Sequence, residues 1–112
     1  DPVSGATGMW HTLIDDKTSY VESSATCGFA YGILKGAELG LAETDVEAAL
    51  KALEPIMEYT DETGVVNQVS YGTPMGRETK DFYKEIELKP MPYGQALAML
   101  FFMECRKHIS DF

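Results

Sequence analysis

The sequence predicts a mainly α-helical fold with a short β-hairpin insertion, and three observations carry that expectation. Two segments, Ser23 to about Leu39 and Gln95 to Lys107, are helical in pattern and apolar on every side. Between them lies an ordinary amphipathic helix opening at Thr44. A buried helix, an outer helix, a loop and a second buried helix follow the order of an α/α barrel, whose helices alternate between inner and outer rings. Periodicity equally allows an irregular helical bundle.

In chain order, Asp1 to Gly8 is rich in Gly, Ser and Pro and reads as an extended lead-in. Met9 to Ile14 reads as a short strand ending in the turn chemistry of Asp15 to Ser19. The first helix has Ser23 or Ser24 as its expected N-cap and Gly40 as its C′ residue. Within it, Gly28, Gly32, Gly36 and Gly40 recur every four residues. An interior glycine costs a helix about 1 kcal/mol against alanine, so the stripe predicts close approach of another backbone.

Thr44-Asp45-Val46-Glu47 reads as a capping box, with Val46, Leu50, Leu53 and Met57 as the apolar face and Pro55 bending or restarting the helix. Asp61 to Gly64 is a turn, and Val65 to Val69 is strand-like. Tyr71 to Gly76 is a loop, and Asp81 to Ile86 a short helix or strand. Pro92 opens the last helix, while Arg106, Lys107 and His108 suit its C-terminus.

With 112 residues and 45% apolar content the chain can build a core. Its net charge of -9 argues against nucleic acid, which is bound by neutralising phosphates. The apolar run Ala96 to Met103 is far short of the roughly 20 residues a membrane span needs. Cys27 and Cys105 read as two buried thiols or one disulfide, outside any metal-type spacing. No metal or cofactor is expected, and a reduced, cytoplasmic setting is favoured. The chain has no initiator Met, which suggests part of a longer gene product.

Several segments together resemble a known family. They are Met9-Trp10-His11-Thr12-Leu13-Ile14-Asp15, Tyr20-Val21-Glu22-Ser23-Ser24-Ala25-Thr26, Tyr31-Gly32-Ile33-Leu34-Lys35-Gly36, Tyr71-Gly72-Thr73-Pro74-Met75-Gly76, and Pro92-Tyr93-Gly94-Gln95-Ala96 with Glu104. In this order they are similar to the unsaturated glucuronyl and rhamnogalacturonyl hydrolases, glycoside hydrolase families 88 and 105. The resemblance implies an (α/α)6 barrel of the six-hairpin glycosidase type, of which residues 1–112 would be the C-terminal segment and not a complete domain.

It further implies hydration of the C4=C5 double bond of an unsaturated uronic acid in pectin-type oligosaccharides. An aspartic acid protonates the vinyl-ether carbon and activates water, which is general acid–base work. Neither that Asp nor the family's Arg-Gly-Asn-x-Trp segment has a match here, so no catalytic residue is assigned. The expected partners are an oligosaccharide bearing an unsaturated uronic acid and the remainder of the same protein.

The substrate-binding candidates are Trp10, His11, Glu22, Ser23, Ser24 and Thr73. Trp10 can stack on a sugar or fill the core; His11 can donate to a ligand or sit at the surface. Asp15 and Asp16 are explained by turn chemistry, and Glu22 by its place at a helix N-terminus. Ser23 and Ser24 can offer hydroxyls and amides to an anion, although capping is their commoner role. Gly72 and Thr73 lie where backbone can approach a ligand. The bland reading of Gln95 and Glu104 is structural hydrogen bonding. A non-catalytic helical binding or interaction module is the alternative to an enzyme piece.

Overall fold

Glycine punctuation and apolar spacing are realised as helices in a computed structural model describing residues 8–41, 45–73 and 75–109. Among these, α1 (Ser23–Glu38), α2 (Val46–Leu50), α3 (Leu53–Glu58) and α4 (Pro92–Arg106) follow in order, with a 3-10 turn at Lys80–Lys84 before α4. The expected lead-in, apart from Gly8, lies outside the described residues, as do Thr44 and Pro74.

Helix α1 starts one residue before the predicted caps: Glu22 is the N-cap, and its carboxylate accepts from the Ala25 amide. Its end is as expected. The Gly40 amide bonds the Ala37 carbonyl and the Leu41 amide the Gly36 carbonyl. With Gly40 at φ 68, this is a Schellman closure that a β-carbon would strain.

The amphipathic helix is two short helices. Asp45 caps α2 through the Ala48 amide, one position later than the expected box. Pro55 has no amide to give the Lys51 carbonyl, and the helix breaks there. Gly8 occupies the space, since a β-carbon on it would lie 2.5 Å from the Lys51 oxygen. The break rotates the buried face onto Ala48, Ala49, Ala52 and Ile56, leaving Met57 exposed.

No hairpin ladder forms among the described residues. Three isolated antiparallel bridges stand in its place: His11 with Val21, Thr60 with Val66, and Ser70 with Leu88. The expected strand at Val65 to Val69 is interrupted by Gln68 at φ 66, which breaks an extended run. The strand expected at Met9 to Ile14 likewise pairs only around His11.

Helices α1 and α4 pack together through Cys27, Ala30 and Leu34 against Ala98, Phe101 and Cys105, all fully buried. Both cysteines are free thiols. At the far end, Lys107 lies 3.2 Å from Glu38 and 3.3 Å from the buried Glu104, and Lys35 3.3 Å from Glu38. This polar lock ties the two helix C-termini.

The expectation of helices buried all round holds on one side only. Phe29 on α1 and Ala96, Met99, Leu100 and Met103 along α4 are exposed. The glycine stripe faces open space: Gly32 and Gly36 have nothing within 4 Å of a β-carbon position, and Gly28 meets Leu97 only at 3.9 Å. No described part of this chain makes the predicted close approach. Among the described helical glycines the close contact is at Gly94 on α4, where a β-carbon would stand 2.7 Å from a Val69 methyl.

Candidate functional site

The first turn of α1 exposes backbone amides that need acceptors, and the residue before it is acidic. Glu22 therefore turns inward. Its carboxylate accepts from the Ser24 hydroxyl at 2.8 Å, the Ala25 amide at 2.7 Å and the Ser70 amide at 2.7 Å, with the residue only 4% exposed. One side chain thus caps a helix and holds a loop 48 residues further on.

The neighbouring hydroxyls are equally committed. Ser23 donates to the Asn67 carbonyl at 2.7 Å, while its amide bonds the Gln68 carbonyl. The Tyr20 and Ser70 hydroxyls bond each other at 2.6 Å. From the start of α4, the Tyr93 hydroxyl donates to the Ser70 carbonyl and accepts from the Gly72 amide. The loop at Ser70 to Gly72 is clasped from three sides.

Four of the six sequence candidates therefore meet at the α1 N-terminus. Glu22, Ser23 and Ser24 form its first turn, and Trp10 lies beside it, its amide donating to Thr26 at 2.9 Å. The Trp10 ring is buried edge-on to Phe29, centroids 5.7 Å apart. His11 is half-buried, and its Nδ1 lies 2.7 Å from the Ser19 carbonyl. A carbonyl can only accept, so Nδ1 carries the proton and Nε2 of the neutral ring is an acceptor. Thr73 is exposed, three residues past Ser70.

Sequence reasoning did not single out Tyr20, Ser70 or Tyr93. Both tyrosines stand inside the family-like segments, and a Tyr hydroxyl near a core needs a partner. That was the available signal. Ser70 carried none, because its role depends on a contact distant in sequence.

Both thiols are buried, which favours their protonated form. Burial, and secondarily the charge of Glu22, pushes Cys27 up to about 12, and burial raises Cys105 to about 11. Asp15 and Asp16 belong to turns and surface pairs. Lys84 lies 2.7 Å from Asp16, and Lys80 3.2 Å from Asp15. Lys84 and then Thr18 hold the Asp16 carboxyl far below its ordinary range. These pairs lace the loop before α1 to the 3-10 turn. Gln95 is structural as expected, accepting from the Val66 amide and donating to the Gly64 carbonyl. No group of three or more His, Cys, Asp or Glu among the described residues is placed to hold a metal, and no described helix is long and apolar enough to cross a membrane.

The profile of Glycosyl Hydrolase Family 88 matches residues 3–109. The unsaturated rhamnogalacturonyl hydrolase YesR of Bacillus subtilis (strain 168) is 33% identical over 101 residues, covering 89% of this chain and 28% of that protein. A crystal structure from Salmonella enterica serovar Paratyphi A, described as a possible member of family GH105, superposes with a TM-score of 0.87 at 45% identity, over 96% of this chain and 29% of that one. A Klebsiella pneumoniae structure described in the same words gives 0.87 at 44% identity, over 96% and 28% of the two chains. A family 105 glycoside hydrolase of C. acetobutylicum shares the fold, with a TM-score of 0.79 at 20% identity over 94% of this chain and 33% of that one. This chain thus spans under a third of the length of these first two structures and of the curated relative.

Proposed function

Because the chain belongs to Glycosyl Hydrolase Family 88, with family 105 structures as its neighbours, we propose that it forms the closing segment of an (α/α)6 barrel that hydrates unsaturated uronyl residues at the ends of oligosaccharides. In this reading α1 and α4 are inner helices, and the loops at their N-termini form part of the mouth.

The observation that carries this reading is the uncovered apolar surface of α1 and α4. Phe29, Met99 and Met103 are 45%, 57% and 63% exposed, and the glycine stripe beside Phe29 is open. Large apolar side chains left exposed on two packed helices are what an interface would use. The remaining helices of a barrel would cover it and would bring the catalytic Asp, for which this chain has no match.

The chain's own contribution is positional. Glu22, Ser24, Ser70, Tyr20 and Tyr93 form a closed set of hydrogen bonds that fixes the loop bearing Thr73. His11 Nε2 is left to accept from a sugar hydroxyl at the rim. Trp10, Glu22, Ser23 and Ser24 act behind the ligand surface and set its shape. A few local donors hold a substrate carboxylate, so the net charge of -9 is no obstacle.

The test is ultraviolet absorbance of a 4,5-unsaturated uronyl disaccharide. The 112-residue chain alone should leave the absorbance unchanged, while the same chain joined to the rest of a family barrel should remove it. Loss of absorbance with the chain alone would refute this division of labour. No loss with the completed barrel would favour the second reading, a non-catalytic helical binding module.

A further inference from the structure

Residues 75–86 lie between the clasped loop and α4, and backbone hydrogen bonds close the base of this excursion. The Tyr71 amide donates to the Glu87 carbonyl and the Lys89 amide to the Val69 carbonyl, both at 2.8 Å, around the Ser70–Leu88 bridge. The Lys89 ammonium also lies 4.4 Å from the centre of the Tyr71 ring. Beyond this base the excursion packs on itself. Phe82 meets Tyr83 edge-on, centroids 5.4 Å apart, and the Gly76 amide donates to the Tyr83 hydroxyl at 2.9 Å. A β-carbon on Gly76 would lie 2.8 Å from the Phe82 ring.

Apolar burial does not hold this unit to the body. None of its described apolar side chains belongs to the core or packs against it, and the 3-10 turn Lys80–Lys84 has no buried residue. A segment with so little buried apolar contact opens at low free-energy cost. Charge supplies the tether. Lys84 lies 2.7 Å from Asp16 and 3.0 Å from the Thr18 hydroxyl, both in the loop before α1. Lys80 lies 3.2 Å from Asp15 of the same loop.

The two tethers are unequal. The Lys84 and Asp16 side chains are 28% and 25% exposed, those of Lys80 and Asp15 67% and 74%. Fully hydrated pairs contribute little, so Lys84 carries the attachment. Its acceptor is set in advance, because Asp16 also accepts from the Thr18 amide at 2.9 Å and the Thr18 hydroxyl at 2.6 Å. These contacts, Lys84 first, hold the Asp16 carboxyl far below its ordinary range, and Asp16, then Asp81, raises the Lys84 ammonium. Both charges therefore persist through the neutral range, and ionic strength, not pH, loosens the pair.

We propose that residues 75–86 form a salt-released strap, latched by Lys84 on Asp16, that draws together the loop orienting His11 and the loop bearing Thr73. His11 Nδ1 is held by the Ser19 carbonyl of the latched loop, and the Ser19 hydroxyl donates in turn to the Asp16 carbonyl at 2.6 Å. Thr73 stands just before the strap. With the latch open the base stays paired, so the tip swings as a unit and His11 loses the support that orients it. The proposal takes from the preceding reading only that His11 faces the rim of the barrel, and turnover plays no part in its test.

Amide hydrogen exchange is followed by peptide mass on the full-length protein at about 0.1 M and about 1 M sodium chloride, between which the screening length falls from about 10 to about 3 Å. Exchange across residues 77–86 should rise about threefold, the scale of one weak ion pair, while Ser70, Tyr71 and Lys89 stay as protected as before. Lys84→Met, which keeps the stem without the charge, should reach the high-salt exchange already at low salt and respond no further. Lys80→Met should behave as the parent. Carbethoxylation of His11, located by peptide mass, should quicken whenever the strap exchanges faster. Exchange indifferent to salt, a Lys84→Met strap that still responds to it, or an equal effect of Lys80→Met overturns the proposal. So does a parallel rise at the base, which is general unfolding, or His11 modification that stays constant while the strap opens. A latch that behaves as expected in a protein with no turnover defeats the hydration activity and leaves the strap standing.

Discussion

Alanine at Gly94 and at Gly32 should change stability in opposite directions, although both glycines sit inside helices. Helix propensity favours alanine by about 1 kcal/mol at either site. At Gly94 the new methyl would stand 2.7 and 2.9 Å from the two Val69 methyls and 3.3 Å from Val69 Cβ. Val69 is fully buried and β-branched, so its side chain has little freedom to turn aside. The first turn of α4 must then move off the chain at Val69, and overpacking of this sort costs about 1–3 kcal/mol. The net expectation is a loss of about 1 kcal/mol, after the propensity gain. At Gly32 nothing lies within 4 Å, so the gain of about 1 kcal/mol survives in the isolated chain. In a completed barrel Gly32→Leu should instead destabilise by about 1–3 kcal/mol, because a neighbouring helix would meet the side chain. Urea denaturation of each variant in both chain lengths reads these as shifts in midpoint at constant slope. Gly94→Ala at or above the parent stability would refute the packing argument. A neutral or stabilising Gly32→Leu in the completed barrel would remove the stripe as a packing face.

Glu22→Gln keeps the shape but turns an amide donor towards one of the amides that Glu22 accepts, and should cost about 1–3 kcal/mol; a thermal midpoint equal to the parent's would refute the clasp. The Glu38 carboxyl is lowered from 4.5 to about 2 by its hydrogen bond with Glu104, then by Lys107 and Lys35. A folded value below the unfolded one gives stability that is present above 4.5 and lost as pH falls towards 2. Glu38→Gln should therefore flatten the decline of the melting temperature across that window, and an identical decline would count against the lock. Cys27 and Cys105, buried with thiols pushed up to about 12 and 11, should resist iodoacetamide at pH near 8 until denaturant is added; native labelling at the denatured rate would contradict their burial.

Local chemistry made much of this molecule legible. The turn at Asp61 to Gly64 forms as read, with Asp61 accepting from the Thr63 amide and Gly64 at φ 89. Gly40 closes α1 and Pro92 opens α4, because each signal depends on a residue's own backbone preferences. The resemblance also reached the right family, through short segments kept in order.

Other features needed the third dimension. Glu22 displaced Ser23 and Ser24 as the cap because its carboxylate also reaches the Ser70 amide, a contact no local window contains. The strand pattern at Val65 to Val69 met no continuous partner, since pairing depends on what lies alongside and not on alternation alone. The sequence by itself determined the helix ends set by one residue's own backbone, at Gly40 and Pro92, and that α1 and α4 are rich in apolar residues. Only the tertiary structure decided which faces this chain covers. Burial is a property of neighbours: Gly94 is crowded by Val69, while Gly32, the same residue in the same kind of helix, looks into open space.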